Sequence, residues 1–280
     1  MKISQVCYLS PDASALGNAD AQPNKHREFL FPMHHKFGLF FENRIKYLAV
    51  MNNIALILSG CGTYDGSDIW EVVLISYHLE KRGQKPIFFA SNIEQKEVID
   101  HLNQVSLSDK RNVLSESARM ALGQIKETKE LYGKDVDGLI LPGGKGTLNN
   151  LADFLGEEKF LNVNPDVKRI LREVYRREKP IGACGLASLI VASALRDILE
   201  TPLTLTIGKD PKLIRQIEEL GAVHVISRGT EAVVDSEHRV VSTPASLLKL
   251  KIIEIAQATE NLVSGVIDLI KLTQNRRSYA

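Results

Sequence analysis

Short apolar runs alternate with helical patterns along the chain from residue 51 onward. Such runs, bounded by glycine, proline or polar turn residues, are typical of buried strands. They predict strands at residues 54–58, 86–90, 136–141, 180–183, 203–207 and 223–226. Residues 232–234 and 240–242, joined by a polar connection, predict a β-hairpin.

The segments between these strands place apolar residues on one helical face. The clearest start is Asn164 followed by Pro165, an N-cap residue and then proline at the first helical position. Helices are predicted at residues 68–81, 109–122 and 211–220, from 164, from 186 and, as a long stretch, from about 245. Strands that alternate with helices specify a mainly parallel sheet with helices on both faces, so the predicted fold class is α/β.

Three of the predicted loops are candidates for a functional site. In a parallel sheet of this kind, ligands bind beyond the carboxyl ends of the strands. Residues 59–67, 142–147 and 182–187 each follow a predicted strand and are polar or rich in glycine. We therefore expect these three loops to meet at one edge of the sheet.

The strongest motif surrounds Cys184, where an apolar strand ends in Gly-Ala-Cys-Gly and passes at once into a predicted helix. This is the pattern of a nucleophile elbow, with cysteine where hydrolases place serine. The flanking glycines fit a strained turn, and the start of a helix favours a thiolate over a thiol. Cys184 is therefore the candidate nucleophile. The alternative is a small buried apolar residue, the usual fate of a free cysteine.

Two glycines are candidates for stabilising an oxyanion. Residues 142–147 read Pro-Gly-Gly-Lys-Gly-Thr directly after a strand, which leaves backbone N–H groups available to an anion. The spacing is not that of a phosphate-binding P-loop. Beside a cysteine elbow, the N–H groups of Gly144 and Gly185 are expected to form an oxyanion hole.

Glu71 is the candidate acid or base. It lies one turn into the helix after loop 59–67, flanked by apolar residues, and so is placed to reach Cys184. The alternative is an ordinary first-turn glutamate that interacts with the helix dipole. Cys61 lies in the same loop, which lacks the dinucleotide fingerprint Gly-x-Gly-x-x-Gly, and we interpret this cysteine as structural.

The histidines add no further site. His224, in a predicted strand, is the one histidine that a sheet would bring near Cys184, and we interpret it as structural. No element carries histidine, cysteine and carboxylate residues at a spacing that suits a metal ion. Neither a cofactor nor a metal is therefore predicted.

Composition indicates which classes of partner and which cellular compartment to expect. The 280 residues include 35 Lys and Arg against 34 Asp and Glu, so no global field favours nucleic acid or a membrane surface. No run approaches the roughly 18–20 apolar residues of a membrane-spanning helix. The three cysteines are too few and too scattered for a disulfide framework. These features predict a soluble cytoplasmic protein with no nucleic-acid or membrane partner.

The first 50 residues differ from the rest of the chain. They hold five of the nine Phe and three of the seven His, without a persistent strand or helix pattern. No signal-peptide core develops, and two arginines with four acidic residues make a poor organelle transit peptide. We interpret residues 1–50 as an N-terminal extension, either disordered or an over-extended reading frame before a natural start at Met51. An aromatic docking arm is the alternative.

Several motifs in register resemble one known family. They lie at residues 59–67 (Ser-Gly-Cys-Gly-Thr-Tyr-Asp-Gly-Ser), 111–114 (Arg-Asn-Val-Leu), 141–144 (Leu-Pro-Gly-Gly), 203–208 (Leu-Thr-Leu-Thr-Ile-Gly) and 242–245 (Ser-Thr-Pro-Ala). They resemble the ElbB family, glyoxalase-like "isoprenoid biosynthesis" proteins also called sigma cross-reacting proteins. This family belongs to the PfpI and class I glutamine amidotransferase-like superfamily. The resemblance spans about residues 53–270.

The resemblance implies a flavodoxin-like sandwich, a homodimer, one domain at residues 51–270 and a flexible tail at 271–280. It implies Cys184 as nucleophile, Glu71 as its carboxyl partner, and oxyanion N–H groups from Gly144 and Gly185. The implied activity is that of a cofactor-independent, glyoxalase-like lyase that converts a small dicarbonyl such as glyoxal into a hydroxy acid, glycolate.

The sequence departs from the superfamily in one respect. Many members carry a histidine after the elbow helix, whereas residues 203–208 here offer threonines. This weakens amidotransferase or protease chemistry, which needs such a base. Two other functions stay open: a redox-sensing or partner-binding module in which Cys184 oxidises to sulfinate without turnover, and a degenerate amidotransferase-like domain whose thiol keeps an ordinary pKa of about 8.5.

Overall fold

The computed structural model describes residues 51–154 and 161–278, so the prediction for residues 1–50 lies outside the described residues. The strands in chain order are β1 (Asn53–Leu58), β2 (Lys85–Ala90), β3 (Val98–Asp100), β4 (Val105–Leu107), β5 (Ile125–Glu127), β6 (Gly138–Leu141), β7 (Ala152–Phe154), β8 (Leu161–Val163), β9 (Ile181–Cys184), β10 (Thr204–Leu205), β11 (Val223–His224), β12 (Val233–Asp235) and β13 (Val240–Thr243).

A seven-stranded sheet lies at the centre, with strand order β12-β13-β9-β6-β1-β2-β5. Its neighbouring strands pair in parallel, except for the antiparallel hairpin of β12 and β13. The remaining strands form the small pairs β3–β4, β7–β8 and β10–β11. The hairpin and the mainly parallel sheet are as predicted.

Helices pack on both faces of the sheet. They are α1 (Ile69–Lys81), α2 (Val113–Met120), α3 (Lys145–Leu151), α4 (Pro165–Arg176), α5 (Ala187–Leu195), α6 (Pro211–Glu219) and α7 (Ile252–Ser278). Because side chains alternate along a strand, Ala55 and Ile57 of β1 enter the core shared with α4 and α5. Ile54, Leu56 and Leu58 enter the opposite core, shared with α1 and α7. The protein is a flavodoxin-like α/β sandwich.

Local sequence signals begin the helices that frame the sheet. The Asp68 side chain caps α1 by accepting a hydrogen bond from the Glu71 N–H at 3.1 Å. Asn164 accepts from two backbone N–H groups of α4, and Pro165 occupies the first position of that helix. The predicted cap at Asn164 is confirmed. The cap at Asp68 places Glu71 in the first turn of α1.

The C-terminal part differs from expectation in two ways. The helix expected from residue 245 begins at Ile252, because Ala245–Leu248 forms a 3-10 turn. This turn ends at Lys249, whose φ of 54° is incompatible with a continued right-handed helix. At the other end α7 reaches Ser278, so residues 271–278, expected within a flexible tail, are helical. No helix of the described residues, α7 included, is long and apolar enough to span a membrane.

The sequence predicts strands at residues 203–207 and 223–226. In the structure each of these strands is only two residues long, and the two pair with one another outside the central sheet. Side chains interrupt their ladder. The Thr206 N–H donates to Ser242 Oγ at 2.9 Å, and the Ile207 N–H donates to Nε2 of His224 at 3.3 Å. These bonds dock β10 and β11 beside the hairpin.

Candidate active site

The three glycine-rich loops meet at the carboxyl edge of the sheet, as predicted. The Asp68 N–H donates to the Gly143 carbonyl oxygen at 2.8 Å. Gly144 has a φ of 108°, and a Cβ there would lie 2.3 Å from the Gly66 carbonyl oxygen, so this close approach requires glycine. A Cβ on Gly143 would lie 2.9 Å from the Cys184 carbonyl oxygen. The second loop therefore packs against both of the others.

Cys184 ends β9 and lies opposite Thr243 of β13. The residue is fully buried, at 0% exposure. The left-handed turn falls on the next residue, Gly185, with a φ of 50°. Because α5 begins only at Ala187, Cys184 lies outside the first turn of that helix. The elbow is thus a strand-end cysteine followed by a glycine turn.

Glu71 is equally buried, at 0% exposure, and both of its carboxyl oxygens accept hydrogen bonds. Oε2 accepts from the Gly143 N–H at 2.6 Å. Oε1 accepts from the Ser246 N–H at 3.0 Å and from the Ser246 hydroxyl. The carboxyl therefore joins the loop after β6 to the 3-10 turn after β13.

Glu71 and the Cys184 thiol interact directly, since the Glu71 carboxyl contributes to the shifted pKa of the thiol. Burial raises the pKa of the Glu71 carboxyl to about 7; the Asp68 charge adds to this, and the bonds from Ser246 and Gly143 oppose it. Burial, together with the Glu71 charge, raises the pKa of the Cys184 thiol well above its ordinary value. The expected thiolate stabilised by a helix start is therefore wrong. Above pH 7 the resting pair is a thiol beside a carboxylate that is placed to take its proton.

The predicted oxyanion hole needs a correction. The Gly185 N–H donates to the Thr243 carbonyl oxygen at 2.8 Å, so this donor is already used in the sheet edge. The Gly144 N–H has no hydrogen-bond partner within the described ranges, and its role stays a prediction. The N–H beside Cys184 and Glu71 belongs to Gly143, which donates to Glu71 Oε2 at 2.6 Å.

Sequence reasoning missed Ser246 and Asp68 as parts of this site. Asp68 carried a signal, since an Asp before a helical pattern is a typical N-cap. Asp68 is only 5% exposed, and its charge raises the pKa of both Glu71 and Cys184. Ser246 carried none, because it lies in a stretch that reads as helix and meets Glu71 only in the folded chain.

Neither Cys184 nor Glu71 is among the groups that shift the pKa of Cys61 or of His224. Cys61 is half-buried and forms an isolated β-bridge with Ser67. Burial, together with the charge of Glu116, raises the pKa of its thiol. His224 accepts from the Ile207 N–H, and burial lowers the pKa of its imidazole. In the part of the chain that the structure describes, no three His, Cys, Asp or Glu side chains are grouped as a metal site requires.

Comparisons with known proteins establish the family. No family model matches the chain. The human mitochondrial glutamine amidotransferase-like class 1 domain-containing protein 3 is 36% identical over 226 residues, covering 77% of this chain and 82% of that protein. The mitochondrial ES1 protein homolog of Rattus norvegicus is 35% identical over 226 residues, covering 77% and 83%. The chain belongs to the ES1 family of class I glutamine amidotransferase-like proteins.

Solved structures agree with this ES1-family assignment. The isoprenoid biosynthesis protein with an amidotransferase-like domain from Ehrlichia chaffeensis matches with a TM-score of 0.72 and 32% identity, covering 77% of this chain and 99% of that one. Glyoxalase III from Candida albicans matches with a TM-score of 0.52, covering 78% and 97%. At 16% identity, the second likeness concerns the fold alone.

The expected cytoplasmic location is corrected by these relatives. The human and rat proteins, and the ES1 protein of Danio rerio, are all named as mitochondrial. A balanced charge and few cysteines argue against an oxidising compartment but do not separate one reducing compartment from another. Composition alone therefore misplaced an ES1-family protein.

Proposed function

We propose that this ES1-family protein is a cofactor-independent glyoxalase of the ElbB type that converts glyoxal, or a similar small dicarbonyl, into a hydroxy acid. The observation that carries the proposal is the placement of the Glu71 carboxyl beside the Cys184 thiol, with both residues fully buried. The pair joins a nucleophile to a group that moves protons near neutral pH.

The reaction begins when the Cys184 sulfur attacks one aldehyde carbon while its proton passes to Glu71. That proton then reaches the new alkoxide and gives a hemithioacetal. Glu71 next removes the C–H proton of this carbon and returns a proton to the neighbouring carbon, while the hydroxyl proton moves to the other oxygen. One carbon is oxidised and its neighbour reduced, so the resulting thioester of glycolic acid needs no external oxidant. Water cleaves it to glycolate and the free thiol.

The surrounding loops support this chemistry. Two of the segments that resemble ElbB, residues 59–67 and 141–144, are the loops that enclose the pair. The Gly143 N–H holds Glu71 Oε2 at 2.6 Å and so aims the carboxyl at the sulfur. Glyoxalase III from Candida albicans has the same fold, so the proposal assigns to this scaffold an activity for which another protein of that fold is named.

The test is glycolate production from glyoxal by the full-length chain. We expect Cys184→Ala to lower turnover at least about a thousandfold, because removing a nucleophile removes the covalent route. Circular dichroism checks that the variant is folded. Wild-type turnover retained in Cys184→Ala, or no glycolate from folded wild-type protein, rejects the glyoxalase.

A redox sensor receives less support from the site. Sensor cysteines are accessible and have a low thiol pKa, whereas Cys184 is fully buried and its thiol pKa is raised. Peroxide titration with peptide mass analysis separates the two functions. Selective oxygen addition at Cys184 without glyoxal turnover favours the sensor.

The homodimer is also a proposal, and the family resemblance suggests it. Apolar side chains on the outer face of α1 support it, since Ile69, Trp70, Val73 and Tyr77 are each between 43% and 55% exposed. Light scattering on the full chain tests it. We expect twice the 31.1 kDa of one chain, and the mass of a single chain at micromolar concentration contradicts the dimer.

A further inference from the structure

Residues 244–250 pack against both members of the reactive pair, and we call this segment the cap. Ser246 of the cap donates to Glu71. Leu247 packs on the turn after Cys184, where a Cβ on Gly185 would lie 3.4 Å from the leucine Cβ. Ala245 of the cap belongs to the same apolar cluster as Cys184, which is 0% exposed. A reaction at this sulfur therefore requires some of the residues around it to move.

The cap is strained at both ends of its 3-10 turn. Ala245 has a φ of 44° and Lys249 a φ of 54°, and neither is glycine. Side chains with a Cβ avoid this left-handed region unless the surroundings enforce it. Between these ends, Leu247 and Leu248 are only half-buried. The closed cap therefore carries a conformational cost at both ends.

Ser246 supplies the polar contact that opposes this strain. Its N–H and its hydroxyl both donate to Glu71 Oε1. The other carboxyl oxygen, Oε2, is held by Gly143. Hydrogen bonds to an ionised group are stronger than those between neutral groups. Glu71 is therefore the anchor that holds the cap against the loop after β6.

We propose that Ser246 is a positioning residue of this site: its hydrogen bonds to Glu71 close the cap over Cys184, and the dicarbonyl enters when these bonds break. The entry of a dicarbonyl rests on the proposed glyoxalase function, whereas the closure of the cap does not.

Alkylation of Cys184 by iodoacetamide measures how often the cap opens, whatever the reaction. The full-length protein is labelled, and each cysteine is followed by peptide mass analysis, with half-buried Cys61 as the internal reference. We expect Ser246→Ala to raise the Cys184 rate about tenfold. Ser246→Thr, which keeps the hydroxyl, is expected to stay within twofold of wild type.

Ser264→Ala is the matched control, because Ser264 Oγ accepts from Arg82 on the α1–α7 side and lies outside the cap. We expect its Cys184 rate to equal that of wild type. A wild-type rate in Ser246→Ala, or equal acceleration in Ser264→Ala, overturns the proposal. If Ser246→Ala does not fold, the Cys184 alkylation rates of Ser246→Val and Ser246→Thr are compared instead. These two side chains have the same shape and differ in the hydroxyl, so the proposal requires the faster rate in Ser246→Val.

The pH dependence of glyoxal turnover is a second measurement, and it would not change if Ser246 had a purely structural role. Because the Ser246 bonds lower the pKa of Glu71, the pH midpoint of glyoxal turnover should rise in Ser246→Ala. An unchanged midpoint contradicts the positioning role. Absence of turnover in the wild type rejects the glyoxalase and leaves the alkylation result to decide the cap.

Discussion

Cys184 and Cys61 are both free cysteines near the carboxyl edge of the sheet, and their surroundings differ. Cys184 ends a central strand, is fully buried and lies beside the Glu71 carboxyl, which contributes to its raised thiol pKa. Cys61 follows β1 in a glycine-rich loop and is half-buried. Burial raises the thiol pKa at both positions. Cys184 differs from Cys61 in having a carboxyl group placed to take its proton. It does not differ by having a lower thiol pKa or a more accessible sulfur.

The two environments are built from different elements. Cys61 forms an isolated β-bridge with Ser67 of its own loop, and the charges of Glu116 and Arg119 on α2 act on its thiol. The surroundings of Cys184 are assembled from the end of β9, the start of α1 and the turn after β13. The proposed proton transfer would depend on all three of these distant segments, so the largest effects are expected there.

The largest expected effect comes from removing the proton acceptor. Glu71→Gln keeps the size of the side chain and should lower glyoxal turnover about a hundredfold to ten-thousandfold, as loss of general acid–base catalysis does. Wild-type activity should rise as the pH passes about 7, where Glu71 ionises, and this rise should vanish in the variant. Steady-state kinetics from pH 5.5 to 8.5 provide the measurement.

Glu116→Gln is the matched control, because Glu116 is the carboxylate whose charge acts on Cys61. It should leave turnover and its pH dependence near wild type. Equal losses in the two variants contradict the distinction between the two cysteines.

The next effect is on stability. Glu71 has an ordinary pKa of 4.5 when unfolded and about 7 when folded. Between these values the folded protein keeps a proton that the unfolded chain has lost, so the free energy of unfolding falls as the pH rises from 4.5 to 7 and levels off above. The contribution is about 3 kcal/mol. Relative to wild type, Glu71→Gln should gain that much stability between pH 4.5 and pH 8.

Urea unfolding of both proteins at several pH values measures this difference, again with Glu116→Gln beside them. A constant offset between Glu71→Gln and wild type across the range shows that the folded carboxyl titrates normally. That result removes the basis for a proton shuttle near neutral pH.

The smallest effect is expected at the other cysteine. Cys61→Ala should change glyoxal turnover less than twofold and the free energy of unfolding by about 1 kcal/mol, since it removes one half-buried sulfur. Glycolate assays and urea unfolding check both values. A loss of turnover comparable to that of Cys184→Ala would make Cys61 part of the reaction and end the comparison.

The candidate site was predictable where one segment carries its own signal. The strand that ends at Cys184 and the helix start that carries Glu71 are both local patterns, and the order of strands and helices brings the two loops to one edge. The donors around the pair were not predictable in this way. The sequence does not indicate that the Gly185 N–H donates to Thr243 at the end of β13. It also does not indicate which of Gly143 and Gly144 donates to Glu71.

By itself, the sequence determined the α/β class, the cap at Asn164 and the glycine loops, and it selected Cys184 and Glu71 as candidate site residues. Apolar period and turn chemistry act over a few neighbouring residues and so are visible in the sequence. The tertiary structure decided the protonation of the pair, the replacement of the predicted helix by a turn at Ala245–Leu248, and the role of Ser246. Burial and hydrogen bonds between distant segments set all three, and such contacts exist only once the sheet has brought those segments together.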